Sequence, residues 1–410
     1  MKTLDELLDD IKALSSRQAV AEVERFFDAL SPDQAERLAA ERPDDVGELN
    51  GAPWHLRVRT NGARLLRDRD KLRATYGLNE ADRADDLLER VRQMSPADRD
   101  RLNTMNEMLR PRLQVVANGT RREVLEVPRQ FLSLGTEGDG RLAEVFGDLS
   151  TAENITFTVH GMGVTLDDLA TQTDIAKAIH TETGPRTATV NFIYDGPNSL
   201  GPAMSKKAAF EASSQLADCI AGVRSQNENA RTTLFAHSYG TIVAAEAIRD
   251  NRSSVDSVIF AGSPGLGHDI NAMSDLNADP NTKFFAMRAQ FDAVSYGEWH
   301  GRDPADFEDV VRLATERPDG PSVTWHEQYW RPASEALRNV GRVCRGAYDK
   351  LTTTDSTVAA ETRLALGVSW GGVARGVSST AGRAFGRVFD GSARRSASRR
   401  TDAERAEGRR

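Results

Sequence analysis

The chain has 410 residues, 39% of them apolar and 28% charged, which is enough for two or three domains with a sizeable core. Its formal net charge of −8 argues against a dedicated nucleic-acid binder, which is normally basic. The opening MKTLDELLDDIKAL is acidic and amphipathic, without the basic start and apolar core of a secretory leader. No apolar run approaches the ~20 residues of a membrane span, so the expected location is cytoplasmic.

Residues 1 to about 115 read as a helical region. Apolar residues recur at helical spacing in LDELLDDIKAL and AVAEVERFFDAL. Ser31-Pro32-Asp33-Gln34 has the pattern of a capping box with proline in the first helical position. ARLLRDRDKLRATYG reads as a charged helix ending at Gly77, and ADDLLERVRQM as another.

A second region, 116–350, changes pattern. REVLEVPRQFLSL and GRLAEVFGD read as β-runs joined by GTEGDG. Short apolar runs then alternate with helical ones. The strand candidates are 155–159, 188–194, 232–236, 257–261, 283–288 and 321–325. Helix candidates cover 166–180, 205–224, 240–250, 304–316 and 332–350. Fully apolar strands alternating with helices predict an α/β fold with a mostly parallel sheet covered on both faces.

Residues 351–410 are rich in glycine, alanine and arginine. The last twenty carry seven arginines against three acids and are expected to be largely disordered. The expectation for this tail is at most a weak contact with an anionic membrane or a protein partner.

The two cysteines, Cys219 and Cys344, have no metal-site spacing and are expected to be reduced. No zinc-type ligand spacing, phosphate loop or dinucleotide fingerprint occurs. No metal and no cofactor are expected.

The chemistry concentrates at FAHSYGTIVAAEA. Ser238 stands between a strand pattern and a helix pattern, at the carboxyl end of a parallel strand, where such sheets deliver ligands. The flanking small residues Ala236 and Gly240 fit a nucleophile elbow with alanine in place of its first glycine. The motif alone also fits a serine that merely caps a helix.

Three further features bear on that choice. His160-Gly161-Met162-Gly163 follows an earlier strand, where an oxyanion hole draws its second backbone N–H. Tyr239 is the expected first donor, with Met162 and then Gly163 as the second. Asp292 is the first acid beyond the strand FFAMR, ahead of Glu298 and Asp303. His326 follows the last strand candidate and is preferred over His300 as the base. Together they predict Ser238 as nucleophile, His326 as general base and Asp292 as its orienting acid. His160, His268, Trp299 and His300 are candidate substrate contacts. His237 is expected to pack or orient, and His55 and His180 to be ordinary surface or helix residues.

At these residues the chain resembles the α/β-hydrolase superfamily, and more narrowly a largely uncharacterised family of α/β hydrolases found mostly in actinobacteria. The matching stretches include VGELNGAPWHLRVRTNGARLL, RQFLSLGTEGDGRLAEVFGDLSTAENITFTVHGMG, AHSYGT, FAGSPGLG and HEQYWRPASEALRNV, over roughly residues 46 to 346. The resemblance implies the α/β-hydrolase fold and the same triad positions, but no substrate. The chain departs from the family pattern at Ala236, where glycine is commoner, and at His160, where proline is common.

The expected activity is therefore hydrolysis of a carboxylic ester, acyl or lipid, through an acyl-enzyme. Amide or thioester hydrolysis would use the same residues. The alternative from another class is a non-catalytic binding or scaffold protein of the same fold.

Overall fold

The computed structural model describes residues 3–354 apart from 4, 7, 10–15, 80–81, 119–120, 198–202 and 204. The tail from 355 onward, with its expected membrane or partner contact, lies outside the described residues.

The N-terminal part contains helices α1 (Ser16–Asp28), α2 (Pro32–Glu41), α3 (Pro43–Glu48), α4 (Trp54–Thr75), α5 (Ala84–Gln93) and α6 (Pro96–Leu109). The capping box forms as the sequence predicts: Gln34 N donates to Ser31 Oγ at 3.3 Å, and Ser31 N donates to Gln34 Oε1 at 2.9 Å. Two free helix-end donors are thereby satisfied. Leu65 of α4 and Met105 and Met108 of α6 share one apolar cluster with Phe131, Leu134, Leu142 and Ile193 of the sheet. The helical region is thus packed directly onto the sheet.

Ten strands follow. β1 (Arg112–Asn118) and β2 (Arg121–Val127) form a separate antiparallel pair. The main sheet contains β3 (Gln130–Gly135), β4 (Arg141–Phe146), β5 (Asn154–Val159), β6 (Thr187–Ile193), β7 (Arg231–His237), β8 (Ser257–Ala261), β9 (Lys283–Met287) and β10 (Val311–Arg312). Its spatial order is β3-β4-β6-β5-β7-β8-β9-β10. Pairing is antiparallel at β3–β4 and β4–β6, and parallel from β6 across to β10.

Helices α7 (Leu169–Thr183), α8 (Lys207–Gln226), α9 (Gly240–Ile248), α10 (Ala293–Gly297) and α11 (Glu335–Cys344) complete the layers. The period-2 alternation of strands decides which face each residue joins. Leu234 and Val258 enter the cluster with α8 and α9, whereas their neighbours Phe235 and Ile259 enter the cluster with α7 and α11. All nine residues of α9 are buried, as expected for a helix apolar on nearly every side.

Three sequence expectations are corrected. The run RLQVVAN is a strand, not the end of the helical region, and Pro128 and Arg129 interrupt the run that continues into β3. Proline lacks the N–H that a ladder needs. The helix expected over 304–316 is instead a short turn at Pro304–Asp306 followed by β10. The open edge of β9 captures this segment, with Leu313 N donating to Ala286 O at 2.9 Å. The strand expected at 321–325 joins no ladder: it runs past the sheet and is tied by Phe291 N to Thr324 O at 2.7 Å. Both cysteines are buried and free.

A buried carboxylate inside the sheet is paired with two arginines, Arg129 and, at 3.6 Å, Arg112. Glu144 of β4 is fully buried and receives Arg129 Nε at 2.6 Å and Nη2 at 2.8 Å. Removing one partner strands the other charge in a low-dielectric setting. Glu144→Ala is therefore expected to lower the unfolding free energy by about 3–5 kcal/mol, measured by urea denaturation. A loss under about 1 kcal/mol, the level of an exposed pair, would contradict this view of the sheet.

Candidate active site

β7 ends at His237 and α9 starts at Gly240, so the chain reverses within two residues. Such a corner forces unusual backbone: Ser238 has φ of 56°, a region that non-glycine residues seldom occupy. Its N–H is held by Ala261 O at 3.0 Å, which ties the corner to β8. The small neighbours have steric reasons. A Cβ on Gly240 would lie 2.4 Å from His160 O, and one on Gly161 would lie 2.7 Å from Ser238 Cβ. The end of β5 and the start of α9 are in backbone contact behind the serine.

Asp292 follows β9 and is fully buried. Its Oδ1 lies 2.8 Å from His326 Nδ1 and also accepts from Val294 N at 3.0 Å, so it caps α10 as well. Its Oδ2 receives Tyr329 Oη at 2.6 Å. Burial alone would raise the carboxyl pKa, but the charge and hydrogen bond of His326 and the Tyr329 hydroxyl bring it down to about 2. Asp292 is thus held as a carboxylate. The same pairing acts on His326. Burial would lower its pKa, and the Asp292 carboxylate reverses this and raises it.

The other acids in the loop are engaged elsewhere. Asp303 is buried at 3.3 Å from Arg288, which also forms a forked pair with Asp306. Burial pushes the Asp303 pKa up to about 7 against the pull of Arg288. Glu298 Oε1 accepts from Asp303 N.

His237 connects the corner to the Asp–His pair. Its Nε2 lies 2.9 Å from His326 O, and the two rings are 4.5 Å apart. Gly262, just after β8, closes the other side: at φ of 62°, its Cβ would meet Asp292 Oδ2 at 2.7 Å and His326 Nδ1 at 3.0 Å. The structure therefore joins Asp292 to His326 directly, and Ser238 follows His237, whose ring packs on His326. No hydrogen bond links Ser238 Oγ to His326 among the described residues.

Of the expected oxyanion donors, Gly163 is already occupied, since its N–H donates to Pro197 O at 2.9 Å. Among the described residues the N–H groups of Met162 and Tyr239 have no such partner, which leaves these two as the available pair. Tyr239 points its hydroxyl away, donating to Ser205 O at 2.6 Å.

The expected substrate contacts divide. His160 is buried with Nε2 2.5 Å from Asn191 Oδ1, and burial lowers its pKa to about 4. Its ring is thus tied to β6 from inside the loop. His300 is also buried, bonded to Ala203 O at 2.7 Å and packed edge-on against Tyr239. His268 is exposed, and Trp299 is 38% exposed.

Sequence reasoning missed Gly262, Tyr329 and the exposed aromatic pair Phe291–Trp325, whose rings lie 5.5 Å apart beside Asp292 and His326. Adjacency was the available signal, since Phe291 and Trp325 directly precede the two paired residues. Among the described residues, His237, His326 and Glu327 form one group with metal-ligand potential, one donor atom from each lying within 4.8 Å of the others. Each histidine already has one ring nitrogen engaged, and the packing of His237 on His326 accounts for the grouping.

Residues 136–298 match the family model described as "Alpha/beta hydrolase". The chain has the α/β-hydrolase fold. The family match includes Ser238 and Asp292 and stops before His326. An uncharacterised protein of Mycobacterium tuberculosis is 25% identical over 376 residues, covering 81% of this chain and 56% of its own length. An uncharacterised protein of Mycobacterium bovis is 27% identical over 175 residues, covering 38% of this chain and 65% of that one. The chain thus spans just over half the length of the first of these relatives. Among solved structures, a dienelactone hydrolase from Anabaena variabilis aligns with a TM-score of 0.34 and 13% identity, over 59% of this chain and 99% of that one. An esterase from Pyrobaculum calidifontis aligns with 0.35 and 14%, over 68% and 97%.

The Asp292–His326 pair of this α/β-hydrolase fold has a spectroscopic test. The His326 ring is expected to titrate above the ordinary imidazole value of ~6.5, because the carboxylate favours the charged form. In Asp292→Asn the burial that lowers the pKa is opposed only by the charge of the neighbouring Glu327, and the apparent pKa should fall toward or below ~6.5. Nitrogen-15 NMR of the imidazole reads both values; equal values in the two proteins would show that the carboxylate does not govern the ring.

Proposed function

We propose that the chain is a serine hydrolase acting on carboxylic esters. The single observation that carries this reading is Ser238 in left-handed backbone at a strand-to-helix corner, adjacent to a buried aspartate–histidine pair. Strained backbone of this kind is kept where it serves a site.

In the proposed reaction, neutral His326 takes the Ser238 hydroxyl proton through Nε2 as Oγ attacks the ester carbonyl carbon. Its Nδ1–H remains bonded to Asp292, which stabilises the imidazolium as it forms. The N–H groups of Tyr239 and Met162 receive the developing oxyanion. His326 then protonates the leaving alcohol, and water releases the acyl group by the reverse sequence. Amide and thioester substrates would follow the same course. The fold of the α/β hydrolases fits this chemistry, and the exposed Phe291–Trp325 pair favours an apolar acyl or lipid chain. A non-catalytic scaffold is the weaker reading, because a binding surface has no need of the Asp292–His326 hydrogen bond beside a strained serine.

Ser238→Ala is expected to lose at least ~10³-fold in kcat on p-nitrophenyl esters with folding intact, and to lose fluorophosphonate labelling. Well-folded wild type that neither labels nor turns over would favour the scaffold. His300→Ala, far less damaging, should stay within about tenfold of wild type; the reverse ranking of His300 and His326 variants would reassign the base.

Activity should rise with pH as His326 loses its proton. The raised pKa places the midpoint above the ordinary ~6.5. A kcat/KM profile flat from about pH 5 to pH 8 would rule out a histidine base.

A further inference from the structure

Arg57 of α4 is only 1% exposed. A guanidinium keeps its charge in a protein and carries five N–H donors. Among the described residues its hydrogen bonding is limited to one long contact, from Nε to Gly47 O at 3.4 Å, and no carboxylate forms an ion pair with it. A buried cation left this way is costly, so its surroundings need a reason.

Arg57 lines a cavity of about 350 Å³ between α4 and α8, together with Glu48, Asn50, Arg141, Asp218 and Phe192. None of its lining residues belongs to the site around Ser238. Glu48 is committed elsewhere: its Oε1 accepts from Arg64 Nη1 at 2.6 Å and Leu134 N at 2.9 Å, and its Oε2 from Ser133 Oγ at 2.8 Å. Cys219 also lines the cavity, and burial pushes its pKa up to about 11, so it offers no negative charge. Glu48 is shared, since its Oε2 also lies 3.6 Å from Arg141 Nη2 and its charge reaches Arg57, so Arg57, Arg64 and Arg141 together stand against Glu48 and Asp218. A second polar atom is unpartnered here, since Asn50 Oδ1 is buried without a hydrogen bond. A flip of that amide presents a donor instead.

We propose that this cavity is a binding site for a small oxyanion, a phosphoryl or carboxylate group, held by the Arg57 guanidinium with Asn50 and Arg141 beside it. Forked N–H donors match the paired oxygens of either group. Leu142, Phe192 and Ile193 form the apolar part of the lining and suit a short hydrocarbon attached to the anion. An occupant would brace the N-terminal helices against the sheet. It would also rest on Phe192, which stacks on Tyr194 at 6.3 Å, and Tyr194 Oη donates to His160 O at 3.0 Å. The anion site thus abuts the wall behind the loop that carries Met162.

Calorimetry and thermal melting of the full chain with inorganic phosphate, acetate and hexanoate test the proposal. Saturable binding and a rising melting temperature are expected with at least one anion. Preference for phosphate assigns a phosphoryl ligand; tightening from acetate to hexanoate assigns an alkyl carboxylate. Arg57→Met replaces the charge with an apolar chain, a change that buried sites often tolerate. It should weaken binding by at least ~tenfold while p-nitrophenyl ester turnover, or fluorophosphonate labelling, stays at the wild-type level. Should that variant fail to fold, wild-type crystals grown with arsenate decide by anomalous scattering, with the arsenic expected beside the guanidinium. No binding of any of the three anions, binding unchanged in Arg57→Met, or only ordered water at Arg57 would overturn the site. The binding, melting and crystallographic readouts do not depend on whether the chain is a hydrolase.

Discussion

The two-residue reversal between His237 and Gly240 is the constraint on which the site depends. It lets a fully buried helix start directly behind the central strand β7, pressed against the carboxyl end of β5. That packing holds Ser238 at positive φ and leaves no room for a side chain at Gly240 or Gly161. The corner is expensive in local conformation and is maintained by the apolar core on both faces of the sheet.

Around this corner the electrostatics are arranged by burial. Asp292 would be neutral in an apolar setting without partners. His326 and Tyr329 supply them, and the carboxylate in turn offsets the burial that would discharge His326. The contest is reciprocal, so neither residue's ionisation can be understood alone. Asp303, buried with Arg288 and Asp306, shows a different balance, in which desolvation prevails.

The N-terminal helices are more than an appendage. Their apolar residues enter the sheet's own clusters, and their charged residues reach it through Glu48 and Arg57. The α/β-hydrolase fold therefore has a polar interior between α4 and α8, apart from the one around Ser238. The Phe192–Tyr194 stack stands between the two, with Phe192 lining the cavity and Tyr194 bonded to His160 O, so the architecture allows one to influence the other.

Much of this was legible in the chain itself. The alternation of apolar strands with helices, the small residues flanking Ser238, and the order serine, aspartate, histidine are local or periodic signals, set by steric demands that sequence records directly. The Ser31 capping box was legible for the same reason, because all its partners lie within four residues. Other decisions were tertiary. Whether 304–316 coils or pairs depended on the free edge of β9. Whether Asp292, Glu298 or Asp303 meets the histidine depended on Arg288, which draws Asp303 away. Gly163 lost its N–H to Pro197, a residue more than thirty positions on, and Tyr329 reached Asp292 across a similar separation. Partners that distant leave no periodic trace in a single sequence; only the closed fold brings them within hydrogen-bond range.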